Sequence, residues 1–152
     1  MFQPKYACLV TGASEGETEL NAFDNALLEA GIGDINLIKA SSIMPPEVEV
    51  VQELGTLGKG AFLPVVYTAV SSKQRGDILV AAIGYGRSDD GFGVIMEASD
   101  VNRQEEEVRK EVEEKIKFAF ARRGIALEEI RVLSKTHKVQ ECGCVIAACV
   151  FY

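Results

Sequence analysis

The chain has 152 residues, of which 47% are hydrophobic and 26% are charged, and its formal net charge is −7. These values are typical of one globular domain with a sizeable core, so we expect a single domain over residues 1–152. The acidic balance, without a basic patch, argues against a nucleic-acid partner. No apolar run reaches the roughly 18 residues of a membrane span. The N-terminus lacks the pattern of a signal peptide, and we expect a cytoplasmic protein.

The first predicted elements are a strand and an amphipathic helix. Residues 6–11 form an apolar run typical of a buried strand, which the glycines of residues 12–16 should end. Thr18 is a suitable N-cap for the helix, and Gly31 suits its C-terminal end. Three- and four-residue spacing predicts an apolar face made of Leu20, Phe23, Leu27 and Ala30. Asp24 lies at the edge of this face, where a carboxylate is ordinarily solvated.

Residues 11–16 also suggest a dinucleotide-binding turn, because a strand leads through two glycines into a helix. The third glycine of that pattern is missing. Acidic residues at positions 15, 17 and 19 would repel a pyrophosphate. A nucleotide-binding oxidoreductase therefore stays a rival hypothesis, which an NAD(P)H titration would test.

The stretch with the most distinctive chemistry is Ser41-Ser42-Ile43-Met44-Pro45-Pro46, which follows a predicted strand over residues 35–40. Proline cannot continue a strand ladder, so the chain should bend near Ser42. There the Ser42 Oγ can attack the carbonyl carbon of Ser41 and move the acyl group from nitrogen to oxygen. Elimination and hydrolysis would then separate residues 1–41 from residues 42–152 and leave Ser42 as an N-terminal pyruvoyl group.

A pyruvoyl ketone forms a Schiff base with an amine substrate and serves as an electron sink, which suits amino-acid decarboxylation. The simpler alternative is that two serines before two prolines only make a turn. The pair of serines by itself does not decide between these interpretations.

Six further strands and a second helix are predicted downstream. The strands cover residues 47–51, 61–70, 78–84, 92–97, 130–139 and 144–152, and the helix runs from Asp100 to Gly124. Residues 78–84 are continuously apolar, which indicates a buried strand. Glu97 closes the strand 92–97, where burial would raise its pKa and make it a candidate general acid, although a lone glutamate is more often a surface residue. The last two strands are close in sequence and are expected to pair antiparallel through residues 141–143.

The cysteines do not form a convincing metal site. Cys142 and Cys144 make a C-x-C pair without a second pair nearby, and His137 is the only histidine. We expect buried, reduced thiols and no metal.

Four motifs together carry a family resemblance. They are Ser14 to Asp24, Ala30-Gly31-Ile32-Gly33, Asn36-Leu37-Ile38 before the Ser-Ser-Ile-Met-Pro-Pro run, and Gly93-Val94-Ile95-Met96-Glu97. In this combination the chain resembles the pyruvoyl-dependent arginine decarboxylases, from about Val10 to the C-terminal strand. The resemblance implies an α+β fold, a four-layer αββα sandwich of mainly antiparallel sheets flanked by two main helices. It also implies a homo-oligomer, a trimer or hexamer of cleaved protomers with active sites between them.

The resemblance further implies an enzyme that converts L-arginine to agmatine and CO2 with a covalent pyruvoyl group made from Ser42. Ser41 would end the upstream fragment, and Asn36 would assist near the cleavage site or the substrate. Asp24 would contact the guanidinium of arginine, and Glu97 would protonate the product. A preference for lysine or ornithine stays open. The alternative is an uncleaved, non-catalytic relative of the same fold that binds a small molecule or serves as a scaffold.

Overall fold

The computed structural model describes residues 2–152, which form two helices and nine strands. In chain order these elements are β1 (Tyr6–Glu15), α1 (Glu19–Glu29), β2 (Asn36–Lys39), β3 (Ile43–Met44), β4 (Glu49–Val51), β5 (Phe62–Ser72), β6 (Ile78–Arg87), β7 (Gly93–Val101), α2 (Glu105–Arg123), β8 (Glu129–Lys138) and β9 (Gly143–Phe151). Over the same residues, neither helix is long and apolar enough to cross a membrane.

The elements stack in four layers. A five-stranded sheet has the order β2-β5-β9-β1-β4, and a four-stranded sheet has the order β3-β7-β6-β8. One apolar cluster lies between the two sheets, and two others lie under α1 and α2 on the outer faces. Most neighbouring strands are antiparallel, while β1–β4 and β2–β5 are parallel. The predicted αββα sandwich is confirmed, because each sheet buries one face against the other sheet and one against a helix.

Helix α1 begins as predicted but packs through smaller side chains. The Thr18 hydroxyl accepts a hydrogen bond from the Asn21 N–H at 3.1 Å, which caps the helix. Leu20, predicted on the buried face, is 77% exposed. Leu27 and Ala30 are buried as predicted, and Ala22 and Ala26, which were not predicted on this face, are fully buried. Alanines at these positions let the helix axis lie close to the five-stranded sheet.

The first strand is longer than predicted, because Gly12 lies inside it and does not end it. The strand pairs with β9 as far as Glu15. A Cβ atom at Gly12 would lie 2.1 Å from the Ala26 carbonyl oxygen, and one at Gly16 would lie 2.3 Å from the Ala22 N atom. Both glycines therefore serve the close approach of α1 to β1. This packing explains the glycines without a nucleotide and disfavours the dinucleotide-binding interpretation.

Helix α2 begins at Glu105, not at Asp100 as predicted. Asp100 and Val101 continue β7, since they pair with Val80 and Leu79 of β6. The buried face of α2 follows a three- and four-residue spacing and consists of Val108, Val112, Ile116, Ala119 and Phe120. Gly124, with φ 67°, ends the helix as expected.

The last two strands do not pair with each other, contrary to the prediction. Strand β8 pairs with β6 in the four-stranded sheet, whereas β9 lies between β5 and β1 in the five-stranded sheet. The connection over residues 139–142 thus carries the chain from one sheet to the other. Glu15 holds this connection: its Oε1 accepts hydrogen bonds from the backbone N–H groups of Gln140, Glu141 and Cys142 at 3.1, 2.7 and 3.2 Å.

The four cysteines are buried and free, as predicted. Burial raises the pKa of the Cys8 and Cys144 thiols and raises the pKa of the Cys149 thiol to about 12. At neutral pH the side chains of Cys8, Cys144 and Cys149 are therefore protonated thiols within the core.

We expect Glu15→Gln to destabilise the protein by about 1–2 kcal/mol at neutral pH, because hydrogen bonds to a charged acceptor become weaker bonds to a neutral amide. The second carboxylate oxygen lies 2.6 Å from His137 Nε2, so the side chain joins both sheets. Burial alone would raise the pKa of Glu15, but the hydrogen bonds outweigh it and the pKa lies below its ordinary value. The contribution of Glu15 to the free energy of unfolding is fully present above the ordinary glutamate pKa of about 4.3. It is lost as the pH falls through the lower pKa that Glu15 has in the folded protein. Thermal denaturation between pH 3 and 7 measures the loss of stability in Glu15→Gln. Glu17→Gln, a substitution at an exposed position, is the control. Equal losses in both variants would contradict the assignment.

Candidate active site

The Ser41–Ser42 peptide bond lies where the chain crosses between the two sheets. Lys39 ends β2, an edge strand of the five-stranded sheet, and Ile43 begins β3, an edge strand of the four-stranded sheet. Residues 40–42 make the crossing. Ser41 is exposed, and Ser42 is half-buried. The bond is thus at an open edge of the sandwich, within reach of both layers.

Hydrogen bonds hold the chain on both sides of this bond. Upstream, the Ala40 N–H donates to the Val65 carbonyl of β5 at 3.0 Å. Downstream, the Ser42 carbonyl accepts a hydrogen bond from the Ile95 N–H of β7 at 2.8 Å. Met44, which is fully buried, pairs with Gly93. Both ends are therefore anchored, one to each sheet, and residues 40–42 between them lie outside the strands.

Glu97 faces the space between the two sheets. On β7, Val94, Met96 and Ala98 pack against α2, whereas Ile95 belongs to the cluster between the sheets. Because side chains alternate along a strand, Glu97 lies on the same side as Ile95. Its neighbour on that face, Ser99, is hydrogen-bonded across the sheets to Thr68 of β5 at 2.7 Å. Glu97 lies in the middle of β7 and not at a strand end as predicted, because β7 continues to Val101.

The pairing of β3 with β7 brings the serines towards Glu97. Ile43 lies opposite Val94, and the Ser42 carbonyl is bound to Ile95. Glu97 is two residues further along β7, which is about 7 Å at the rise of an antiparallel strand. The chain at Ser41 and Ser42 runs in the direction of Glu97, since the two strands are antiparallel.

The surroundings of Glu97 favour a protonated carboxyl group. Burial raises the pKa of Glu97 above its ordinary value, while the ammonium groups of Lys115 and Lys39 offset part of the rise. Lys115 Nζ also donates a hydrogen bond to the Glu97 carbonyl oxygen at 3.0 Å. A half-buried carboxyl with a raised pKa can deliver a proton at a higher pH than an exposed one.

Asp24 and Asn36 do not join this group within one chain. Asp24 is exposed on α1, on the outer side of the five-stranded sheet. Asn36 begins β2, and its Nδ2 donates to the Gly60 carbonyl at 3.0 Å. Three residue intervals of about 3.3 Å separate it from Lys39 at the other end of the strand. The chain thus brings together Ser41, Ser42 and Glu97, and leaves Asp24 and Asn36 elsewhere on its surface.

Sequence reasoning missed three groups at this site: the Ile95 N–H, Lys39 and Lys115. Lys39 lies close to the serines in sequence, and its place before them is the only available signal. Lys115 belongs to the charged face of α2, where nothing distinguishes it from its neighbours. Neither the backbone donor nor the helix lysine can be found without knowing which strand pairs with β3.

The residues around Ser42 fit a pyruvoyl group. A serine supplies the Cα and Cβ atoms from which the group is made, and its own carbonyl is already fixed by Ile95. The exposed Ser41 on the upstream side can separate from Ser42 without disturbing a strand.

Comparisons with known proteins agree with this chemistry. A family model described as pyruvoyl-dependent arginine decarboxylase matches residues 6–152. A relative with that name from Methanothermobacter thermautotrophicus is 43% identical over 143 residues, which cover 94% of this chain and 93% of the relative. Another from Methanocaldococcus jannaschii is 44% identical over 147 residues, covering 95% and 88%. A third, from Pyrococcus furiosus, is 38% identical over 139 residues, covering 91% and 88%. The chain belongs to the pyruvoyl-dependent arginine decarboxylase family.

Proposed function

We propose that this enzyme converts L-arginine to agmatine and CO2 after cleaving itself between Ser41 and Ser42. The observation that carries the proposal is the position of this bond at the open edge between the sheets, with Glu97 beside it on β7. The family name implies a covalently bound pyruvoyl group. Ser42 is the residue whose surroundings suit its formation.

The cleavage uses the atoms of the two serines and one water molecule. Ser42 Oγ attacks the carbonyl carbon of Ser41, the C–N bond breaks, and the Oγ proton passes to the released amine nitrogen. Loss of the Cα proton of Ser42 then breaks the Cβ–O bond and releases Ser41 as the C-terminal carboxylate of residues 1–41. The resulting enamine takes up a proton at Cβ and becomes an imine. Water then replaces the imine nitrogen, ammonia leaves, and residues 42–152 begin with the pyruvoyl ketone.

When formed, the pyruvoyl group supplies the electron-withdrawing carbonyl that makes loss of CO2 from an amino acid possible. The Ile95 N–H keeps the carbonyl of residue 42 in one orientation throughout. Glu97, whose pKa is raised by its partial burial, delivers a proton to the substrate carbon that has lost CO2. The open edge must be covered for this step, because a poorly solvated site favours the release of CO2.

A homo-oligomer would complete the site. Asp24 and Asn36 are remote from Ser42 within one chain, so in this proposal a neighbouring copy supplies them, in a trimer or a hexamer. Exposed apolar side chains around the same edge support an assembly of copies there; they are Ile38, Ile43 and Phe62, exposed by 51%, 42% and 69%. An aspartate suits a guanidinium because the two groups can form a pair of parallel hydrogen bonds.

The intact mass of the denatured protein tests the proposal most directly. Two fragments, residues 1–41 and residues 42–152, are expected, with the larger one carrying a ketone that reacts with hydroxylamine. The purified protein should then release CO2 from arginine. A single full-length mass after long incubation would reject the cleavage and favour the non-catalytic small-molecule-binding or scaffolding alternative.

We expect Asp24→Asn to raise the KM for arginine by about 10–100-fold, because one hydrogen bond to a charged group contributes about 1.5–3 kcal/mol. Self-cleavage should be unaffected, since the proposed cleavage uses only the two serines and water and the Asp24 carboxylate takes no part in it. Steady-state kinetics with arginine, lysine and ornithine measure the change. Glu19→Gln, an exposed substitution on the same helix, is the control. An unchanged KM in Asp24→Asn would remove this residue from substrate binding.

A further inference from the structure

We propose that Arg87 is a positioning residue that holds the chain downstream of the cleavage site. We call residues 42–48 the strap, because they run from the new N-terminus at Ser42 to the buried Val48. Arg87 fixes the strap so that the Ser42 carbonyl stays on the Ile95 N–H. The part of this inference that concerns catalysis rests on the proposed function.

The Arg87 guanidinium donates three hydrogen bonds, each to a backbone carbonyl group. It is half-buried at the end of β6. Its Nη2 donates to the carbonyls of Pro46 and Val48 at 3.1 and 3.0 Å, and its Nε donates to the Gly91 carbonyl at 3.0 Å. Among residues 2–152, Arg87 takes part in no ion pair. One guanidinium thus joins the strap to the turn between β6 and β7.

The strap needs such a side chain because it makes few backbone hydrogen bonds. Strand β3 is only two residues long, and the prolines at 45 and 46 have no N–H group. Within the strap, the Val48 N–H donates to the Pro45 carbonyl at 3.2 Å. Before cleavage, β2 also anchors the chain from the upstream side. After cleavage this anchor no longer acts on Ser42, and the strap alone determines where the new N-terminus lies.

Gly91 makes an independent contact with the strap. Its φ of 88° is in the left-handed region, and a Cβ atom there would lie 2.4 Å from the Pro46 carbonyl oxygen and 3.0 Å from Arg87 Nη2. The turn between β6 and β7 therefore closes directly onto the carbonyl that Arg87 binds. A glycine allows both the turn and this close approach.

Hydrogen exchange of the purified protein tests the inference. Arg87→Met and Gly91→Ala should each accelerate exchange of the amides in residues 43–50 and 93–97 by about tenfold, because local opening becomes easier. Arg87→Lys, with one donor group in reach of these carbonyls, should give a smaller effect than Arg87→Met. Peptides from β9, which is fully buried, should exchange as in the unchanged protein.

Two control variants separate the proposed role from general destabilisation. Gly76→Ala introduces the same backbone strain, since Gly76 has φ 91° in the preceding turn, but a Cβ atom there meets nothing within 4 Å. Arg109→Met removes another guanidinium, which donates to the Ser134 hydroxyl and the Val132 carbonyl at 2.8 and 3.2 Å. Neither control should change exchange at residues 43–50. Unchanged exchange at those residues in both Arg87→Met and Gly91→Ala, or an equal rise across the whole chain, would overturn the inference.

The rates of self-cleavage and of decarboxylation test the catalytic part of the inference. Arg87→Met should slow self-cleavage and lower the kcat of the cleaved fraction by about tenfold with a smaller change in KM, since orientation of the reacting group is affected. Arg87→Lys should recover part of both rates. Faster amide exchange of the strap in Arg87→Met, with an unchanged self-cleavage rate and an unchanged kcat, would overturn the positioning role. Failure of the proposed function is recognised separately, because the protein without substitutions would then remain full-length. Its amide hydrogen exchange would still report on the strap.

Discussion

Replacing Ser42 with alanine is expected to leave a full-length chain without detectable decarboxylase activity. Alanine has no Oγ atom to attack the Ser41 carbonyl, and no other route to a pyruvoyl group exists at this position. The fold should be retained, because Ser42 is held through its backbone carbonyl by Ile95 and that hydrogen bond is unchanged. Intact mass, circular dichroism and CO2 release measure the three consequences together.

Ser41→Ala provides the matched comparison. In the proposed cleavage Ser41 contributes only its carbonyl carbon, and its exposed side chain takes no part. We therefore expect this variant to be cleaved and active. A cleaved Ser42→Ala protein would reject Ser42 as the nucleophile, whereas an uncleaved Ser41→Ala protein would assign the Ser41 side chain a role that the mechanism lacks.

Glu97→Gln is expected to cleave itself but to decarboxylate arginine about 10²–10⁴-fold more slowly, the usual cost of losing a positioned general acid. The amide is close in shape to the carboxyl group, so the packing between the sheets should be retained. The kcat of the cleaved variant, measured with mass-verified protein, isolates the effect. Glu114→Gln, an exposed substitution on α2, is the control and should turn over normally.

The pH dependence of kcat provides a second measure of Glu97. A general acid acts in its protonated form, so the rate should fall as the pH rises through the raised pKa of Glu97. The Lys115 ammonium lowers this pKa, and Lys115→Met should therefore move the fall in rate to higher pH. Full turnover in Glu97→Gln, or an unchanged profile in Lys115→Met, would remove Glu97 from proton delivery.

The local elements of this fold could be predicted from the sequence, because they depend on neighbouring residues. The apolar spacing of α2 defined its buried face, and the continuous apolar run of β6 indicated a strand covered on both sides. The prolines after Ser42 marked the place where the chain leaves a strand. The family resemblance further implied the four-layer arrangement, which the structure confirms. It also implied five site residues, of which one chain brings Ser41, Ser42 and Glu97 to the same edge.

Pairing between distant residues could not be predicted in this way. Strands β8 and β9 are separated by a connection of hairpin length, yet Glu15, more than a hundred residues earlier, holds that connection as it crosses between sheets. From the sequence, Gly12 is expected to end a strand. In the structure it lies inside β1, at the place where α1 approaches most closely. In both cases a local pattern allows two structures, and long-range packing selects one.

The sequence alone therefore indicated the kind of chemistry, through the family resemblance carried by the Ser-Ser-Ile-Met-Pro-Pro run and the accompanying motifs. The tertiary structure decided what surrounds that chemistry. It placed Glu97 facing the space between the sheets, brought Lys39 and Lys115 near its carboxyl group, and set Arg87 on the strap. These contacts join β2, β6, β7 and α2, whose proximity arises only when both sheets and their covering helices pack around a common core.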